Sequence, residues 1–369
     1  MFVDMQAADY QPELPSGLGY GIGIVGCGIT VCDSQAPAYK KAGYRVVACC
    51  DRIEERAHGA AANFGSALVT TELEELLSHA EVQVVDLAVH HHQRLPLVEQ
   101  IAAAGKHILS QKPLAPSLRE AERIVEICRD AGVTLMVNHQ ARWAPSHRAL
   151  KFLVDSGVLG HIYAFTHVFR AHQDFGWYAE REDFNIVDHG IHYIDLSRYF
   201  SGYTPLRVKA TTTMAPGQNA VSPMIYTILF EYEPSCQVMS TLHFNNIVSA
   251  PALHDQFWFL DGTHGSALLS DPAGTAKLSL SFKDSPEQVQ TFEIAGSWEY
   301  EGFAGSMGEM LLALEEGREP ESSGRDHLVS LRMAFAAVES ANSGEGVELG
   351  RVGFSWPRSR TMRGGSVGA

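Results

Sequence analysis

The stretch Gly21-Ile22-Gly23-Ile24-Val25-Gly26-Cys27-Gly28-Ile29-Thr30 decides the fold. A strand-like apolar run passes directly into Gly26-Cys27-Gly28. Glycine permits a tight turn there and lets the backbone approach a pyrophosphate, whose charge the next helix start favours. A helical segment near Asp33–Ala42 follows, and a second strand-like run, Tyr44–Cys50, ends at Asp51. Asp51 lies 25 residues after Gly26, near the spacing of an acid that binds the ribose of a dinucleotide. A carboxylate there accepts from both ribose hydroxyls and repels a 2′-phosphate; the adjacent Arg52 softens this preference for NAD over NADP. A plain strand–turn–helix unit carries the same glycines, and Ile29 and Val31 stand where a third small residue is usual. With Asp51 in place, the turn Gly26, Gly28, Ile29 and Thr30 reads as a cofactor cradle.

Outward from this unit the alternation continues to Asn138. Strands are expected at Val82–Ala88, Lys106–Leu109 and Val133–Asn138, with helices near Ile53–Asn63, Glu72–Ser78, Leu95–Ala104 and Ser117–Ala131. The last helix opens with Ser117 and Glu120, a capping box, and stops at Gly132. Strands alternating with helices imply a doubly wound parallel sheet, an α/β Rossmann domain over residues 1–144. After Ala144 a helix (Ser146–Ser156) leads into β-type runs at His161–Arg170, Leu206–Thr213, Met224–Tyr232, Gln237–Asn245 and Gln256–Asp261. Shorter runs lie near 266–269, 277–282 and 290–294. A helix around Asn185–Phe200 interrupts them, and helices near Ser306–Glu316 and Asp326–Asn342 close the chain. Residues 145–369 thus read as an α+β domain with a large, mostly antiparallel open sheet. Residues 1–18 read as a polar arm and Arg358–Ala369 as a flexible tail.

The chain has 369 residues, 45% of them apolar, which is ample for two cores. A net charge of -15 argues against nucleic acid or an acidic membrane as partner. Six cysteines lack metal-type spacing and read as thiols of a reducing compartment. The amino terminus lacks the basic and apolar regions of a secretory signal, and no run is long enough to span a bilayer. A cytoplasmic protein is expected.

Gln111-Lys112-Pro113 follows a short strand, which places Lys112 at the strand's carboxyl end, where such sheets bind ligands. Asp188 and His192 stand four apart, so on a helix they share a face, and the carboxylate would raise the imidazole pKa and fix its tautomer. That suits a histidine taking a proton from a hydroxyl. Asp195, mid-helix, reads as an ion-pair residue. His90-His91-His92 invites a metal reading, but consecutive side chains point in different directions. No metal is expected, and Val89, His90 and His92 read as the cofactor edge of the cleft. Arg142-Trp143, Arg170, His172, Asp174, Trp177 and Tyr178 mix donors with aromatic faces, which suits a carbohydrate and equally a solvated loop with two packing aromatics.

Gly26-Cys27-Gly28, Ala104-Gly105-Lys106-His107, Lys112-Pro113, Arg142-Trp143, Ser156-Gly157-Val158-Leu159-Gly160 and Asp188-x-Gly190-x-His192-x-x-Asp195 jointly resemble the Gfo/Idh/MocA family along nearly the whole chain. The resemblance implies a Rossmann domain, a second domain whose open sheet makes oligomer contacts, a nicotinamide cofactor and a sugar or cyclitol substrate. Catalytic roles fall on Lys112, Asp188 and His192, cofactor contact on Gln111 and Lys112. Substrate contact falls on Lys112, Arg142, Trp143, Arg170, Trp177, Asp188 and His192. Three departures stand out: Gln111 for a common glutamate, His90-His91 for a common Pro-Pro, and Ile29 for a frequent glycine. Gln111 removes a charge beside Lys112, leaving its pKa less raised.

The expected activity is NAD- or NADP-dependent oxidation or reduction at a secondary hydroxyl of a sugar, glycoside or cyclitol, by a homodimer or homotetramer. The same residues serve a redox-neutral epimerase, lyase or glycoside-cleaving enzyme with tightly held, recycled NAD. A non-catalytic cofactor-binding subunit is the third reading.

Overall fold

The computed structural model describes residues 2–352 apart from 16, 67, 182–183 and 272–274, together with the backbone only of residues 177 and 184. The expected tail lies outside the described residues, as does the side chain of Trp177.

Strands β1 (Gly21–Val25), β2 (Val46–Cys50), β3 (Leu68–Thr70), β4 (Val82–Leu87), β5 (His107–Gln111) and β6 (Leu135–Asn138) form a six-stranded parallel sheet in the order β3-β2-β1-β4-β5-β6. Both faces are covered, which is why the strands are nearly continuous apolar runs. Ile22, Ile24, Val84, Leu109 and Met136 point to one side, against Tyr39 of the Ala36–Ala42 helix. Val25, Val85, Ile108 and Val137 point to the other, against Val98, Ile101, Ala121 and Ile124. The order reverses between β1 and β4, so a crevice opens at their carboxyl ends. β3 has only three residues, too few to show a period, and was not among the expected strands.

Strands β7 (Ile162–Arg170), β8 (Arg207–Thr213), β9 (Ile225–Glu231), β10 (Met239–Asn245), β11 (Asp255–Gly262), β12 (Gly265–Ser270), β13 (Ala276–Phe282), β14 (Ser285–Ile294) and β15 (Val347–Glu348) form a nine-stranded sheet. Its order is β14-β13-β12-β11-β7-β10-β9-β8-β15, and only β7 and β10 pair in parallel. Along β9, Tyr226, Ile228 and Phe230 alternate inward, toward the Ile191–Ser201 and Gly324–Ser343 helices. The fold class is as expected from the sequence.

Core packing nonetheless crosses residue 144. Phe303, Met307, Met310 and Leu311 of the Tyr300–Glu316 helix share a core with β1 and β4 of the first sheet. The amino-terminal arm also differs from expectation. Val3, Met5 and Tyr10 are buried, and Val3 exchanges hydrogen bonds with the Gln290 side chain. Spaced apolar residues dock this segment despite its polar average.

The single helix expected at Asn185–Phe200 is two pieces. Phe184–His189 is a wide, π-type turn, and the α-helix begins at Ile191. Gly190 joins them under close cover: a Cβ there would meet Ile186 O at 2.7 Å and Tyr226 Oη at 2.8 Å.

Candidate active site

A cleft of about 1510 Å³ runs from the carboxyl end of the parallel sheet to the second sheet. That exceeds the range of about 300–1,000 Å³ usual for a single small ligand. Gly28, Ile29, Thr30, Val89, His90, Gln111, Lys112, Arg170, Asp188 and His192 all line it.

The glycine turn fits a dinucleotide. Gly26 has φ +91°, and a Cβ there would meet the Ala88 carbonyl carbon and Val89 Cγ1 at 2.9 Å, so strand ends β1 and β4 touch. At Gly28 a Cβ would meet no atom within 4 Å, which leaves that part of the cleft open above main chain. The helical turn Val31–Gln35 begins just beyond, running into Ala36–Ala42. Asp51 is drawn into this turn. Its Oδ2 accepts from the Cys27 N–H and its Oδ1 from the Ile53 N–H, both at 2.8 Å. A carboxylate offers about four acceptor directions, so both oxygens retain capacity for a ribose hydroxyl. Gly26, Asp51, Arg52 and His92 are not among the described cleft-lining residues; Arg52 is solvent-exposed.

Lys112 directly follows β5 and is joined to Pro113 by a cis bond. Its Nζ donates to Asp188 Oδ1 at 2.6 Å and to the Asp188 main-chain oxygen at 2.8 Å. This corrects the expected pairing. The π-type turn and Gly190 break the helical register that four-residue spacing assumes, so the Asp188 carboxylate serves Lys112 rather than the imidazole. The expected pKa direction is corrected too. Burial, then the charge of Lys112, pushes His192 well below its ordinary value, so the ring is neutral. His192 Nδ1 has no hydrogen-bond partner among the described residues.

His90, His91 and His92 do not point apart. His91–Gln93 is a tight helical turn, and the three rings cluster with centroids 4.0, 4.3 and 5.1 Å apart, His90 and His92 stacked and His91 tilted by 37° and 40° to them. Their nitrogens come within 4.8 Å of one another. His91, not His92, lines the cleft with His90.

Arg142 and Trp143 are not at the substrate. Trp143 is 3% exposed and belongs to the core under β1. Arg142 forms a bidentate pair with Asp195, with both N···O distances 2.7 Å, and also bonds Asp326 at 2.6 Å. Its guanidinium borders a separate cavity of about 710 Å³. A buried arginine requires carboxylates, and these take Nε and Nη2, while Nη1 donates to the Glu321 main-chain oxygen at 3.0 Å. Asp195 is accordingly an ion-pair residue. Asp174 accepts from the main chain of Asn219 and Ala220, a loop-closing role.

Sequence reasoning missed Arg94 and Trp298. Arg94 is 2% exposed and donates only to carbonyls: Nε and Nη2 to Val89 O, Nη1 to Gln111 O and Pro113 O. It ties the loop after β4 to the turn that carries Lys112. Burial pushes its pKa down to about 9, opposed by Asp188. No charge pattern near Arg94 marks it, since its partners are main-chain oxygens. Trp298 reaches the cleft from the segment after β14.

Buried neutral histidines set a pH dependence. Burial pushes His139 and His147 down to about 4 and His189 to about 3. Each takes up a proton on unfolding below about pH 6.5 but not in the fold, so stability rises with pH from about 4 to about 6.5. Each contributes up to about 1.4 kcal/mol per pH unit. Asp86, raised by burial to about 6, opposes them between its unfolded and folded values. The histidines outnumber it. The melting temperature should therefore fall steadily from pH 7 to pH 4.5, and a flat profile would contradict neutral burial.

Comparison with known proteins agrees with this geometry. Residues 20–139 match the model described as oxidoreductase family, NAD-binding Rossmann fold, and residues 147–268 match the GFO/IDH/MocA C-terminal domain. D-apiose dehydrogenase of Paraburkholderia graminis is 26% identical over 355 residues, which cover 93% of each chain. D-xylose 1-dehydrogenase (NADP(+)) 2 of Haloferax volcanii is 27% identical over 340 residues, 89% of this chain and 98% of that one. An oxidoreductase from Agrobacterium radiobacter, solved with NAD+, L-tartaric acid and magnesium, superposes with TM-score 0.80 at 25% identity. That match covers 90% of this chain and 99% of the other.

Proposed function

The chain belongs to the GFO/IDH/MocA oxidoreductase family, and on that premise we propose that it moves hydride between a nicotinamide dinucleotide and a secondary hydroxyl of a sugar, glycoside or cyclitol. One observation carries the reading. A single cleft holds the open glycine turn, a lysine ammonium gripped by Asp188 and a neutral histidine.

Bound NAD supplies the hydride acceptor at its nicotinamide ring. Gly26, Gly28, Ile29 and Thr30 would hold its phosphates, Asp51 with Arg52 the adenosine ribose, and Val89, His90 and Gln111 the nicotinamide end. His192 takes the substrate hydroxyl proton, which its neutral state permits. Lys112 donates a hydrogen bond to the same oxygen and steadies its developing negative charge. Asp188 keeps Lys112 aimed. In the reducing direction His192 returns the proton. Arg170 would meet the substrate from the second sheet's end.

Residues 1–144 act as the cofactor domain and 145–369 as the substrate domain; the division between the two sheets supports this. Exposed Met239 and Phe259 on the second sheet support a homodimer or homotetramer. Six free cysteines fit a cytoplasmic setting, and no described helix is long and apolar enough to cross a membrane.

A panel of sugars, inositols and glycosides, followed by nicotinamide absorbance with NAD and NADP, tests the function. NAD reduction by at least one class is expected, with NAD favoured because Asp51 faces a 2′-phosphate with like charge. Silence across the panel with both cofactors rejects the proposal.

A further inference from the structure

Trp298 lines the cleft half-buried. Its ring centroid lies 5.4 Å from His192 and 5.3 Å from His147, both nearly perpendicular, and 5.9 Å from Tyr193. Three neighbouring rings therefore fix its orientation beside the proton-accepting histidine, before any ligand arrives. A rigid aromatic surface of this kind suits the C–H face of a saturated ring.

The wall around it is acidic. Asp255, Asp271 and Glu299 line the same end. Burial raises the Asp271 pKa, and Asp255 and Glu299 raise it further, so the three carboxylates act on one another. Asp271 Oδ2 accepts from Ser146 Oγ at 2.5 Å and Asp255 Oδ2 from Ser270 Oγ at 2.9 Å. Asp255 Oδ1 also accepts from the Gln256 N–H at 2.7 Å, and the Gln256 side chain bonds Asp271; each carboxylate has about four acceptor directions, so about two remain at each for hydroxyl donors. Arg170 opposes them, but its Nε already donates to Leu253 O at 3.3 Å. Gln140, 6% exposed, also lines the cleft, and its Oε1 has no partner among the described residues. Acceptors thus predominate around a hydrophobic plate.

We propose that Trp298 determines specificity at the substrate end, stacking a neutral sugar or cyclitol ring whose hydroxyls donate to Asp255, Asp271 and Glu299, while these carboxylates turn away uronates and sugar phosphates. This rests on the reading of the cleft as a sugar or cyclitol dehydrogenase site. It narrows the substrate to uncharged rings.

Saturation-transfer NMR on the protein held in excess NADH, which cannot accept hydride from the probes, tests it without turnover. The probes are two matched pairs: D-glucose with D-glucuronate, and myo-inositol with its monophosphate. Transfer to ring C–H protons is expected for the neutral members and about tenfold weaker binding for the anionic ones. Trp298→Ala should weaken neutral binding about tenfold and Trp298→Phe much less. Asp271→Asn with Glu299→Gln should narrow the gap within each pair. Melting curves establish that each variant is folded. Equal or tighter binding of the anionic members overturns the proposal, as does unchanged binding in Trp298→Ala or no binding of either pair. Oxidation of anionic substrates would leave the dehydrogenase reading standing and remove this one. Selective neutral binding without turnover of any substrate would do the reverse.

Discussion

Replacing Lys112 with alanine, or His192 with alanine, lowers turnover by about two to four orders of magnitude each, while NADH affinity stays within a few-fold. The two losses have different origins. Lys112 Nζ sits 2.6 Å from Asp188 Oδ1, in a place where its side chain is 16% exposed, so one face of the ammonium remains for a substrate oxygen. Its removal deletes the donor that stabilises negative charge on that oxygen and leaves Asp188 without its cation. Lys112→Arg keeps an ion pair but spreads the charge over a planar fork, so it should recover little activity. His192→Ala deletes the proton acceptor and leaves Lys112–Asp188 intact. Its pH profile should change as well. Because burial and Lys112 keep the imidazole pKa low, wild-type activity gains little from this group above neutrality, and the variant loses whatever acid limb remains. Steady-state rates and NADH fluorescence titrations check both variants. Near-normal turnover in both would sink the assignment.

How far the sequence discloses this site depends on which contacts are local. The glycine turn, the acid at the end of β2 and the lysine after β5 are legible because each is fixed by its own strand end. Lys112, Asp188 and His192 do meet in one cleft. Their pairing was not legible. Four-residue spacing assumes α-helical register, and the π-type turn at Phe184–His189 removes it. Arg142 misled for a related reason: an arginine beside a tryptophan suits sugar binding in composition, but Asp195 and Asp326, distant in sequence, claim the guanidinium. Arg94 shows the opposite limit. Its acceptors are main-chain oxygens of Val89, Gln111 and Pro113, which no residue type announces. The histidine run was misjudged because side-chain divergence holds for extended or regular helical backbone, and the tight turn at His91–Gln93 brings the rings together instead.

Asp195→Ala should cost about 3–5 kcal/mol of stability, the range for breaking a buried charge pair. Asp195 is fully buried, and its oxygens accept from Arg142 Nε and Nη2 and from Ser330 Oγ, each at 2.7 Å. Burial alone would raise its pKa, but Arg142 holds it far below the carboxylate range. Truncation strands the Arg142 guanidinium with Asp326 as its remaining carboxylate, itself shared with Arg198. The damage also reaches the catalytic turn. The Leu114 N–H donates to His327 Nε2, so His327 carries its proton on Nδ1 and donates to His139 Nε2 at 2.7 Å. That leaves the His139 proton on Nδ1, 3.7 Å from Asp195 Oδ2. The two imidazoles thereby run from the backbone next to Lys112-Pro113 toward the carboxylate, which His139 Nδ1 faces without a hydrogen bond. Removing the charge takes away the field that orients both rings beneath the turn that carries Lys112. Asp195→Asn, which keeps an acceptor and the volume but not the charge, should fall between wild type and Asp195→Ala. Urea unfolding midpoints at pH 7 check the order, and the melting temperature should drop by about 10 °C in Asp195→Ala. A loss below about 1 kcal/mol would mean that Asp326 and water satisfy Arg142 without Asp195.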